Sequence, residues 1–296
     1  MFRVLITGAD SYVGTSFEKW IKENTPNQIT VDTVDVRGDE WKKYKFLGYN
    51  TVFHVAGLAH VDIEKVTSEQ KQHYYEINTE LAVECAKKAK KEGVKQFIFM
   101  SSMIVYGESG GIGRKKVITK NTPLSPANFY GDSKAKAEQG LKRLETEKFK
   151  VVILRPPMIY GKGSKGNYPL LAKIAKSLPA FPEENNERSM LYIGNLCKFV
   201  NLMILNEESG IFFPQNAEYV KTSAFVKMIA EAKGKKMYLT NVFHPVLLLM
   251  EKMGGKIGNL INKAFGNMVY EKEMSEYKEE YRQYDFRESV YLTENG

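Results

Sequence analysis

The chain has 296 residues, 43% hydrophobic and 26% charged, which gives it material for a large core and excludes a disordered or fibrous protein. Its formal net charge of +8 does not point to nucleic acid, because the basic residues are spread around positions 87–95, 114–116 and 233–236 with no aromatic platform among them; they read as solvated faces that attract a small anionic substrate. No stretch reaches the roughly 18 uncharged apolar residues of a membrane span, and the N-terminal apolar run is too short for a signal peptide, so a cytoplasmic protein without stable membrane insertion is expected.

Residues 3–7 form a short β-branched run that ends at Gly8, and a helical pattern over 13–23 follows at once. This strand, glycine turn and helix predict a dinucleotide site built from Gly8, Ser11, Tyr12, Val13 and Gly14, because a tight turn lets the backbone approach a pyrophosphate at the helix N-terminus. Ser11 stands where a middle glycine is usual; it is small enough for that approach and able to cap the helix. A second strand is expected over 30–36. Asp35, 21 residues after Gly14, is placed to accept hydrogen bonds from an adenosine ribose, which favours NAD, whereas Arg37 is placed to pair with the extra phosphate of NADP. A third strand over 51–56 closes on Ala56-Gly57, a small surface that suits either a nicotinamide dinucleotide or simple packing.

A helix is expected over 74–92, an apolar strand over 96–101, a helix over 133–147 and a strand over 150–154. Apolar runs alternating with helical periodicity imply parallel strands joined by crossover helices, so the fold class is α/β, a Rossmann-type doubly wound sheet. Tyr130 and Lys134 are four apart and so share a helix face. An ammonium beside the phenol is expected to lower its pKa from about 10 and make it a usable acid or base, with Ser102 hydrogen-bonding the same substrate oxygen. After Arg155-Pro156-Pro157 the chain breaks into short pieces at Gly161, Gly163, Gly166, Pro169, Pro179 and Pro182. A dinucleotide-binding domain is therefore expected over 1–158 with a return segment at 189–205, and a smaller C-terminal substrate subdomain over 159–188 and 206–296. The apolar stretch 243–261 reads as a packed helix pair, with weak membrane-surface contact as the other reading. Cys85 and Cys197 lie in apolar helical patterns without ligand or disulfide spacing, as buried thiols do, and no metal site is expected.

The ordered set Thr7-Gly8-x5-Gly14, His54-Val-Ala-Gly57, Asn78, Ser101-Ser102-Met-Ile-Val-Tyr106-Gly107, Tyr130-x3-Lys134 and Leu154-Arg-Pro-Pro-x-Ile-Tyr160-Gly161 resembles the extended short-chain dehydrogenase/reductases, within them the nucleotide-sugar epimerases and ketoreductases. The resemblance covers about residues 1–215. It implies Tyr130 as acid/base, Lys134 also on the nicotinamide ribose, Ser102 as the catalytic hydroxyl, Asn78 at the cofactor, and a homodimer through helices near 80–92 and 131–147. It also implies a UDP-sugar held by Arg188 at the diphosphate, Asn167 at the ligand, and Ala180 and Phe181 at the uracil. Met103 and Ile104 stand where dehydratases of this kind carry an Asp-Glu pair, so dehydration is set aside. Met158 and Asn195 depart from the usual galactose epimerase. The expected function is reduction of a UDP-4-keto-6-deoxy-N-acetylhexosamine at C4 in surface polysaccharide synthesis. The alternatives are a UDP-hexose or UDP-N-acetylhexosamine 4-epimerase with tightly held NAD, and a non-catalytic NAD-binding sensor or scaffold.

Overall fold

The computed structural model describes residues 1–59 and 66–296. Six parallel strands form the central sheet: β1 (Phe2–Thr7), β2 (Ile29–Val34), β3 (Thr51–His54), β4 (Gln96–Met100), β6 (Lys150–Leu154) and β10 (Gly210–Phe212), in the order β10-β6-β4-β3-β1-β2. Both faces of the sheet are covered, which is why these strands are continuous apolar runs. Alternate residues of β4 face opposite ways: Ile98 and Met100 join a cluster with α1 (Tyr12–Asn24) and α6 (Ile193–Leu205), while Phe97 and Phe99 join one with α3 (Leu81–Lys91) and α4 (Phe129–Lys142). Thr7 lies in register with Val34 and His54, so the carboxyl ends of three strands open along one edge.

Several boundaries differ from the sequence reading for local reasons. The helix expected from 74 starts as α2 (Ser68–Tyr75), because Thr67 and Gln70 cap each other's backbone N–H groups in a reciprocal box. It runs into α3 through a π turn at Glu76–Glu80. Helix α4 starts four residues before the expected 133, since Asn128 accepts a hydrogen bond from Gly131 N at 3.0 Å, and Tyr130 therefore sits in its first turn. The expected assignment of everything after 206 to a substrate subdomain is corrected: β10 pairs with β6 and completes the central sheet before the chain leaves it.

The remaining elements gather beyond the carboxyl edge. Helices α5 (Tyr168–Ser177), α7 (Thr222–Ala232), α8 (His244–Lys252), α9 (Gly255–Phe265) and α10 (Phe286–Asn295) surround a separate cluster that includes Tyr160, Phe181, Phe225 and Phe265. Three short parallel pairs stitch it together: β5 (Lys116–Ile118) with β12 (Met268–Tyr270), β7 (Met158–Tyr160) with β9 (Met190–Tyr192), and β8 (Ala180–Pro182) with β11 (Tyr238–Thr240). Tyr277 and Tyr281 return to Phe199 of α6 with ring centroids 5.4 and 4.6 Å apart. Cys85 and Cys197 are both buried and unpaired.

Candidate active site

A cleft of about 550 Å³ opens between the carboxyl edge of the sheet and the C-terminal cluster. Ser11, Tyr12, Val13, Gly57, Ser102, Tyr130 and Lys134 line it from one side, and Asn167 and Arg188 from the other. Gly8 shapes it from behind: its φ is +127°, and a Cβ there would lie 2.7 Å from Ala56 N, so the turn after β1 requires glycine. Ser11 Oγ accepts from Gly14 N at 3.2 Å and caps α1, whose first turn carries no acidic residue. An uncluttered helix N-terminus at a cleft wall suits a pyrophosphate. The Tyr12 hydroxyl is turned away into the interior beside Gly161 and has no hydrogen-bond partner among the described residues.

Asp35 and Arg37 stand just past the end of β2, outside the cleft lining. Arg37 Nε donates to both Asp35 oxygens at 2.9 Å, and Nη2 reaches Asp35 at 2.6 Å and Asp10 at 3.3 Å. The Arg37 hydrogen bonds hold the Asp35 carboxyl below its usual pKa. Asn78, expected at the cofactor, is fully buried and engaged elsewhere: Oδ1 accepts from Leu58 N at 2.8 Å, and Nδ2 donates to Leu58 O and Ser133 Oγ, both at 3.1 Å. It clamps the segment after β3 onto α4. A Cβ on Gly57 would lie 3.0 Å from both Asn78 Oδ1 and Lys134 Nζ, so this glycine makes room for the lysine, while Ala56 packs against Gly8 behind the cleft.

Ser102 closes the strand-to-loop turn after β4, its Oγ accepting from Ile104 N at 3.3 Å. Burial pushes the Tyr130 phenol up to about 12, against a hydrogen bond from Ser102 that lowers it. The sequence reading expected Lys134 to depress this group; instead desolvation outweighs the Ser102 hydrogen bond and the net shift is upward. Lys134 is itself buried, donates from Nζ to Met100 O at 2.9 Å and sits 4.7 Å from the Phe99 ring centroid. Burial pulls its pKa down to about 8, with the Glu138 carboxylate opposing.

Beneath these groups lies a buried network that sequence reasoning missed. Ser101 Oγ donates to Glu138 Oε1 at 2.5 Å, Arg155 Nε and Nη2 grip the two Glu138 oxygens at 3.0 and 2.5 Å, and Arg155 Nη1 donates to Tyr106 Oη at 2.7 Å. The available signal was spacing: Glu138 is one turn beyond Lys134 on the same helix face. His54 is not a titrating partner. It stacks on Phe97 and Phe99, bonds Thr7 Oγ1 through Nδ1 at 2.8 Å, and burial holds its pKa near 3.

On the far side, Arg188 Nη1 donates to Lys263 O at 2.6 Å at the end of α9, and among the described residues no carboxylate comes within ion-pair distance. Burial lowers its pKa to about 10, which leaves it charged. Asn167 precedes α5 without capping it through its side chain. Lys165, Ser109 and Met268 also line the cleft, from positions that carry no motif. Ala180 and Phe181, expected at the uracil, do not line it: Ala180 pairs with Tyr238, and the Phe181 ring is buried with its centroid 5.6 Å from that of Phe265. The larger gain from burying an aromatic ring in the core decides that placement. Met103, Ile104 and Met158 line the cleft as apolar walls, while Asn195 is a buried tie to Tyr284 and Asn216.

The sequence model of the NAD dependent epimerase/dehydratase family matches residues 4–212. The chain belongs to this family. It is 28% identical over 288 residues to a UDP-glucose 4-epimerase of Vibrio cholerae, across 90% of this chain and 86% of that protein. It is 26% identical to an N-acetyl-alpha-D-glucosaminyl-diphospho-ditrans,octacis-undecaprenol 4-epimerase of Escherichia coli O157:H7, across 89% and 81%. The fold is shared with a human epimerase family protein, SDR39U1, solved with NADPH, at a TM-score of 0.75 and 13% identity over 99% of each chain. As a member of an NAD-dependent epimerase/dehydratase family the chain is an enzyme that uses a nicotinamide dinucleotide, and the Gly8 turn, which a Cβ would fill, and the capped start of α1 fit that group.

Proposed function

We propose that this enzyme acts at C4 of a UDP-linked sugar, with inversion at that carbon as the first reading. One observation carries the proposal: Ser102, Tyr130 and Lys134 meet at one end of a cleft whose other end presents Arg188, a cation without an acidic partner among the described residues. Two 4-epimerases matching most of this chain support the reaction class.

When bound, the dinucleotide supplies hydride exchange at the sugar carbon. Tyr130 gives or takes the proton at the C4 oxygen, and Ser102 hydrogen-bonds that oxygen. Lys134 holds the nicotinamide ribose, and its charge steadies the phenolate once the proton has left. The N-terminus of α1 with Ser11 holds the cofactor pyrophosphate, and Asp35 takes its ribose, which favours NAD. Arg188 and Asn167 hold the sugar-nucleotide diphosphate, for which a forked guanidinium is suited. Met103 and Ile104 cannot move a proton, so elimination of water is not part of the proposal.

A second reading is reduction of a UDP-4-keto-6-deoxy-N-acetylhexosamine. It is favoured by the apolar Met158 in the cleft wall. Incubation with UDP-glucose, UDP-N-acetylglucosamine and the keto-sugar separates the readings. Inversion without added cofactor supports the epimerase; stoichiometric NAD(P)H loss with the keto-sugar alone supports the reductase; no turnover of any of them refutes both.

A further inference from the structure

Seven of the fifteen exposed large hydrophobic side chains among the described residues fall between positions 242 and 260, on α8, α9 and the turn before them. Val246 and Leu249 on α8 and Met253 just past its end recur at helical spacing, and Ile257 and Leu260 are exposed on α9; Leu249 is 63% and Leu260 51% exposed. The opposite faces are already occupied, since Leu247, Ile261 and Phe265 are buried in the C-terminal cluster. Two short helices that are apolar on both sides leave one side unpartnered.

The charge around that stripe is one-sided. Residues 241–265 contain Lys252, Lys256 and Lys263 against a single acid, Glu251. Glu251 is turned inward with its side chain 10% exposed, accepting from Ile112 N at 3.2 Å and Arg114 Nη2 at 3.1 Å. Exposed Lys252 and Lys263 flank apolar side chains, and among the described residues neither forms an ion pair, while Glu184, which faces the start of α8, is buried against His244 at 2.9 Å. Such a face complements an apolar layer beneath anionic headgroups. Pairing with a second copy through the same face would set like charges together.

We infer that the α8–α9 face is a peripheral docking surface for an anionic lipid membrane. Helices of 9 and 11 residues lie on such a surface rather than cross it. The carboxyl end of α9 holds Arg188, so docking brings the Arg188 end of the cleft close to the membrane.

The test is flotation of the 296-residue chain, without any sugar, on vesicles of phosphatidylethanolamine and phosphatidylglycerol, and on vesicles of phosphatidylcholine alone. The chain should float with the anionic vesicles, less so in high salt, and stay free of the neutral ones. Leu249→Glu with Leu260→Glu should lower partition on the order of a hundredfold, with far-UV circular dichroism and cofactor binding unchanged. Lys252→Gln with Lys263→Gln should lower it on the order of tenfold. A wild-type chain that stays free of anionic vesicles, or a double Glu variant that floats as well as wild type, overturns the inference. So does a wild-type dimer without vesicle binding that the double Glu variant splits, which would assign the face to a second copy. Because no sugar is present, either outcome leaves the reaction proposed for the cleft to stand or fall on its own assay.

Discussion

At the end of the cleft that holds Ser102, Tyr130 and Lys134, each side chain rises from the close of a parallel strand or the first turns of α4. Below them the Glu138–Arg155 pair ties that helix to β4 and β6. At the other end, Arg188 sits on isolated bridges to Val220 and Met268, Asn167 and Lys165 come from a connection, and α9 holds the guanidinium through the Lys263 and Ala264 carbonyls. The first end is fixed by hydrogen bonds in a low-dielectric core; the second is assembled from segments whose positions depend on one another. Proton transfer needs the reacting groups held to fractions of an ångström, whereas a diphosphate can be gripped by charge at looser tolerance.

The comparison predicts how each end fails. Tyr130→Phe removes the proton carrier without touching the fold, so kcat should drop by about 10²–10⁴-fold with cofactor affinity retained; turnover near wild type would remove Tyr130 from the chemistry. Glu138→Gln leaves the Arg155 guanidinium buried and unpaired, with side-chain exposures of 6% and 1% for the native pair. A stability loss of about 3–5 kcal/mol is expected, read as a lower urea midpoint, and an unchanged midpoint would show that the network does not anchor the rigid end. Arg188→Met is milder: it should raise the nucleotide-sugar KM by roughly ten- to a hundredfold, the value of one or two charged hydrogen bonds, while kcat moves less. If KM holds and only the melting temperature falls, Arg188 serves α9 rather than the ligand.

Much of the rigid end was legible because its signals are local. The glycine turn, the apolar parallel strands, and Tyr130 and Lys134 at helical spacing each depend on residues within a turn or a strand of one another. The looser end was read less well. Lys165, Ser109 and Met268 carry no motif and reach the cleft only through the packing of the C-terminal cluster. Phe181 resembled a ligand-cradling segment, yet its ring gains more against Phe265 in the core.

The sequence by itself determined the doubly wound class, the strand–turn–helix that suits a pyrophosphate, and that Ser102, Tyr130 and Lys134 come to one cleft. Only the tertiary structure decided that β10 completes the sheet, that Asn78 is a clamp on Leu58, that Glu138 meets an arginine 17 residues away, and that burial raises the Tyr130 pKa. These outcomes turn on long-range contacts and on how far water is excluded from a group. Neither is written in spacing along the chain, because burial is a property of the whole packed molecule.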